Sequence, residues 1–128
     1  MSCGITVAMS PIPELQQRQI DRWCERRVPA SKRGELTVMS RWRGRMVTLV
    51  EKRAEPPDGG GPAQVTEHAF AQLRYGTDGL WTLYYWVDGL ARWRQYPASL
   101  PENSPVPLLQ DIDRSTDDGY FHTWLSAR

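Results

Sequence analysis

Glu51, His68, Arg74 and Tyr85 are side chains of the types that cut phosphodiesters, and all four lie in the middle of the chain. A carboxylate among apolar neighbours can act as a general base, and an adjacent arginine can hold a phosphate. Glu51 alternates with Val47 and Leu49, so it shares their apolar face, where a carboxylate is costly unless paired. His68 and Arg74 are its candidate partners. An enzyme built on this set would be a small toxin-like ribonuclease with Glu51, His68, Arg74 and Tyr85 catalytic. The plainer account is a structural ion pair at the end of a sheet.

A second set suits binding rather than cleavage. Arg92 and Arg94 interleave with Trp81, Tyr85 and Tyr96, and aromatic rings on a sheet can stack bases while arginines hold phosphates. The same pattern also serves cross-strand cation–π packing or a homodimer seam. Arg41, Arg43 and Arg45 surround one turn, and Arg22, Arg26, Arg27, Lys32 and Arg33 precede them. Such a cluster can contact a phosphate backbone without reading sequence, or it can protect an edge strand from aggregation.

Other chemistry lacks its motifs. His68 and His122 are the only histidines, with no ligand spacing around them, so no metal is expected. Cys3 and Cys24 form neither a CxxC pair nor a disulfide framework, which suits a reducing cytoplasm. Gly59-Gly60-Gly61 lacks the strand–helix context of a phosphate loop, and no Ser or Cys sits in a nucleophile elbow. No cofactor is implied.

These side chains need elements to hold them. Ser10-Pro11-Ile12-Pro13-Glu14 reads as a helix start with Ser10 as cap and Pro11 in the first turn. Leu15, Ile20, Trp23, Cys24 and Arg27/Val28 then fall near one stripe, and Pro29 ends the helix. From Glu35 the hydrophobic period becomes two. Glu35–Trp42 and Arg45–Arg53 flank an Arg43-Gly44 turn, which puts Leu36, Val38 and Trp42 on one face with Val47, Leu49 and Glu51. Strands follow over Val65–Tyr75, Trp81–Val87 and Leu90–Tyr96, the last two joined by a two-residue Asp88-Gly89 turn. That turn groups Tyr84, Trp86, Ala91 and Trp93 as core beneath a helix. It leaves Trp81, Leu83, Tyr85, Arg92 and Arg94 as the exposed face. Ser104-Pro105-Val106-Pro107 repeats the first helix-start pattern and predicts a second helix to about Arg114, with Tyr120–Trp124 closing the chain. The fold class is α+β: one domain over residues 11–128 with an N-terminal helix, about five antiparallel strands and a C-terminal helix. Residues 1–10 are expected to form a flexible terminus, and Met9 offers an alternative start.

Composition agrees. The 128 residues are 40% hydrophobic and 24% charged, enough for one buried core, and they exclude disorder and a disulfide scaffold. No apolar run approaches the roughly 20 residues that span a bilayer, so no membrane partner is expected. The net charge of +1 hides an asymmetry: residues 1–56 carry 11 basic and 6 acidic side chains, whereas residues 57–128 carry 5 and 9.

Several segments recur in a familiar order: Ile12-Pro13, Trp23-Cys24-Glu25-Arg26-Arg27-Val28-Pro29, Val47-Thr48-Leu49-Val50-Glu51-x-Arg53 and Ala71-x-Leu73-Arg74-Tyr75. Trp81-Thr82-Leu83-Tyr84-Tyr85-Trp86, Trp93-Arg94-x-Tyr96 and an acidic turn before Gly119 and Phe121 complete the set. Over about residues 11–124 the chain resembles the bacterial family termed domain of unknown function 3024. The resemblance implies a small bacterial cytoplasmic protein and brings no activity, cofactor or site residue with it. The expected function is therefore a non-enzymatic binding or regulatory module, through Trp81, Tyr85, Arg92 and Arg94 with Arg41, Arg43 and Arg45. Its partner would be RNA, single-stranded DNA, another protein or a second copy of the chain.

Overall fold

A computed structural model describes residues 12–55, 61, 64–115 and 121. Helix α1 spans Glu14–Arg27. It opens at Pro13, whose carbonyl accepts the N–H groups of Gln16 and Gln17 at 3.0 and 3.1 Å. The start thus lies later than the Ser10-Pro11 signal, and Ser10 and Pro11 are outside the described residues. Glu14 in the first turn and Arg26 and Arg27 in the last complement the helix dipole. Val28, extended at φ −99° and ψ 124° before Pro29, ends the helix as expected. Ile20, Cys24 and Val28 are buried at four-residue spacing, but Leu15 is 68% exposed. At 3.6 residues per turn, a five-residue step from Leu15 to Ile20 carries it well off the stripe.

A 3₁₀ turn at Ala30–Lys32 leads into strands β1 (Leu36–Arg43), β2 (Met46–Glu55), β3 (Gln64–Tyr75), β4 (Trp81–Val87) and β5 (Arg92–Gln95). They form one antiparallel sheet in the order β1-β2-β3-β4-β5. The first turn is Gly44-Arg45, one residue later than expected, with Trp42 opposite Val47 and Arg43 opposite Met46. Gly44 takes φ +59° at the first turn position, where a side chain would be strained. The displacement moves the register by two, so the shared face of Val38, Trp42, Val47, Leu49 and Glu51 survives. The β4–β5 connection is also longer than Asp88-Gly89. Asp88–Leu90 form a 3₁₀ turn, and the left-handed residue is Ala91, at φ 50° and ψ 48°. Val87 consequently pairs with Arg92, and Trp86 with Trp93.

Helix α2, Val106–Arg114, begins as its Ser-Pro signal predicts, with Ser104 Oγ accepting the Val106 N–H at 3.2 Å. Leu108, Leu109 and Ile112 from α2 join Ile20 and Cys24 of α1 over Val47, Leu49, Leu73, Trp81 and Leu83. The helices therefore cover one face of the sheet, and the architecture is a two-layer α+β domain. Of the closing segment, Phe121 is described; its ring meets that of Tyr96 at 5.0 Å.

The two faces of β4 are the reverse of the expectation. Trp81 and Leu83 are 0% and 1% exposed beneath the helices, and Tyr85 packs against the same core. Tyr84, Trp86 and Trp93 take the opposite face. Both parities of β4 are aromatic, so alternation within the strand cannot choose between them. The neighbours choose: Leu83 lies across from Leu73, and Tyr84 across from Gln72. The ladder between β2 and β3 breaks between Leu49 and Val50, with Leu49 opposite Ala71 and Val50 opposite Ala69. Phe70 is the extra residue of this bulge. It turns inward beside Trp23, their ring centroids 6.3 Å apart.

Candidate functional site

The sheet face opposite the helices carries a connected row of polar and aromatic side chains. Thr48 on β2, Gln72 on β3, Tyr84 on β4 and Gln95 on β5 lie in register across four strands. Gln72 Nε2 donates to Thr48 Oγ1 at 3.0 Å, and Arg74 Nε donates to Gln72 Oε1 at 2.7 Å. Those bonds hold the Arg74 guanidinium over the Tyr84 ring, its Cζ 3.9 Å from the centroid. Two residues further along β4, Trp86 meets Trp93 edge to face at 5.3 Å. Tyr84, Trp86 and Trp93 are each half-buried.

Beyond β2 the same face becomes charged. Arg41 Nη2 donates to both Glu67 carboxylate oxygens at 3.2 Å, and Lys52 Nζ lies 3.5 Å from one of them. The bond from Arg41 holds the Glu67 carboxyl below its ordinary range, with further help from the Arg41 and Lys52 charges. Arg43 and Arg45 are exposed at the adjoining turn.

The expected catalytic set is divided. Glu51 is fully buried on the helix side of β2, directly across from His68 on β3. Arg74 stands on the other face, and Tyr85 is two strands away from Glu51, between Ala71 and Arg94. The bulge is the cause: in a regular strand His68 and Arg74 would share a face, and Phe70 changes the parity between them. The charge of Glu51 is felt instead by Arg27 on α1. Arg27 is drawn below its ordinary range by burial and supported by the charges of Asp113 and Glu51. Its Nη1 donates to Asp113 Oδ1 at 2.7 Å.

The expected binding face is divided too. Trp81 is buried, with its indole N–H donated to Gln16 Oε1 at 2.8 Å, so its ring cannot stack a base. Arg92 and Arg94 are exposed on the helix side of β5, and Arg94 lies opposite Tyr85. Thr48, Gln72, Tyr84, Trp86 and Trp93 were not legible as site residues. The available signal was that Thr48, Gln72 and Arg74 alternate with Val47, Leu49 and Leu73 on neighbouring strands. Among the described residues, no group of three or more His, Cys, Asp or Glu could hold a metal ion. Among them, too, no helix is long and apolar enough to cross a membrane.

A small α+β domain with one sheet face covered and an aromatic, arginine-bearing face opposite is the class these features define. The chain belongs to the family described as a domain of unknown function (DUF3024), whose model matches residues 9–123. No curated protein and no solved structure matches it.

Proposed function

We propose that this chain is a non-enzymatic module of the bacterial cytoplasm that binds single-stranded nucleic acid, RNA or DNA, on the open face of its sheet. The observation that carries this reading is the placement of Arg74 over Tyr84 beside the Trp86–Trp93 pair. Half-buried rings on a rigid sheet stack bases at little entropic cost, and sequence-tolerant stacking of this kind contributes about 1–3 kcal/mol per base. Arg41, Arg43, Lys52 and Arg74 supply cations for the intervening phosphates. Glu51 supports an interior role rather than a catalytic one, because it is buried under α1 away from Arg74.

Fluorescence anisotropy of a labelled single-stranded RNA at two salt concentrations tests this reading. Micromolar binding that weakens steeply with salt is expected. Trp86→Ala and Arg74→Ala should each lower affinity by about tenfold or more. Arg92→Ala/Arg94→Ala, on the helix side, should change it far less. Absence of binding at low salt, or equal binding by all variants, overturns the proposal and leaves a protein partner for this face.

A further inference from the structure

The helix layer carries a cleft that the sheet face does not use. It lies between α1 and α2, encloses about 690 Å³, and is lined by Leu15, Trp23, Val106 and Leu109 together with four arginines. Such a volume lies in the range of small-molecule sites, and clefts between helices are common places for them.

The charges are one-sided. Arg18, Arg22, Arg26 and Arg27 line the cleft against a single carboxylate, Asp113. That carboxylate is already engaged, accepting from Arg27 Nη1 at 2.7 Å and from Trp23 Nε1 at 3.2 Å. Arg18 pairs with Glu14 one turn earlier. Among the described residues, no ion pair includes Arg22 or Arg26. Two buried polar atoms of the lining residues, Gln19 Oε1 and Arg27 Nε, have no hydrogen-bond partner. The Arg27 side chain is itself only 7% exposed, held over Trp23 at 4.9 Å.

We propose that this cleft binds a small organic anion with an apolar body. Trp23, Leu15 and Leu109 would take the body, and the forked guanidiniums of Arg22 and Arg26 would take a carboxylate or phosphate head group. A cation is disfavoured by four arginines lining one cleft, and an anion adds the counter-charge that Arg22 and Arg26 lack within it. The proposal is independent of nucleic-acid binding, which uses the other face of the sheet.

The test is isothermal titration of the full chain with 1-naphthyl phosphate, alongside 1-naphthol and inorganic phosphate. In parallel, amide and indole N–H resonances are followed by NMR. The expected result is saturable one-site binding of 1-naphthyl phosphate below about 1 mM, with the Trp23 indole resonance among those shifted. Naphthol and inorganic phosphate, each lacking one half of the ligand, should bind at least about tenfold more weakly. Arg22→Ala/Arg26→Ala should weaken the naphthyl ester by a similar factor while leaving RNA affinity unchanged. Both side chains are exposed, so the variant should retain the parent's circular dichroism. Arg74→Ala should leave the ester's affinity alone. Lack of saturation, equal affinity in the Arg22/Arg26 variant, or resonance shifts confined to the sheet face would overturn the assignment.

Discussion

Cys24 is 3% exposed on the inner side of α1, and burial, aided by Asp21 and Glu25 and opposed by Arg27, pushes its thiol up to about 12. A thiol held neutral this far is no nucleophile. It also links stability to pH. Between the unfolded thiol's pKa, about 8.5, and the folded value, the native state keeps a proton that the unfolded chain has lost. Stability is therefore full below the unfolded value and falls as pH rises, with a slope from this group of about 1.4 kcal/mol per pH unit. Urea titrations between pH 8 and 11 should show that slope reduced in Cys24→Ala relative to the parent. Glu51 was legible in part: alternation with Val47 and Leu49 assigns it to the core face, where it is fully buried. Of its two candidate partners, His68 does lie opposite it, but Arg74 falls on the other face because of a bulge that no turn residue announces.

Both helices, all five strands and the turn between Tyr75 and Trp81 can be read from periodicity, capping and turn residues, whereas the first hairpin turn is displaced by one residue and the β4–β5 connection is longer than its sequence suggests. Gly44-Arg45 replaces Arg43-Gly44, and a four-residue connection replaces Asp88-Gly89. In both cases the register moves by two, so side chains keep their company even though their partners change. The inner face of β4 is not fixed by its own sequence, since a strand aromatic on both sides carries no internal evidence of which side is inner. The second connection also yields a test. Ala91 sits at φ 50°, in the left-handed region that costs a side-chain-bearing residue about 1 kcal/mol. Ala91→Gly should raise the urea midpoint, the relieved strain exceeding the glycine's extra chain entropy by up to about 0.5 kcal/mol. A midpoint unchanged or lowered would show that the turn does not carry this strain.

Across the whole molecule, Trp81 holds the layers together. Its backbone exchanges two hydrogen bonds with Glu102, its indole reaches Gln16 on α1, and Gln16 Nε2 in turn donates to the Asn103 carbonyl. One residue, through backbone and side chain together, thus ties the sheet, the first helix and the segment leading to the second. Trp81→Ala should cost about 3–5 kcal/mol, a large part of the stability of a domain this size, and unfolding by urea would report it. Trp86→Ala, from the half-buried face, should cost much less, which separates loss of binding from loss of fold. A last consequence follows from the bulge at Phe70. It divides β3 into two stretches of opposite phase, one ending at Ala69 and one beginning at Ala71. A single-residue insertion or deletion in either stretch would turn every side chain beyond it to the wrong layer, exchanging Glu67 for His68 beside the buried Glu51. Over evolutionary time, then, this strand can change length only in pairs of residues, or by moving the bulge itself.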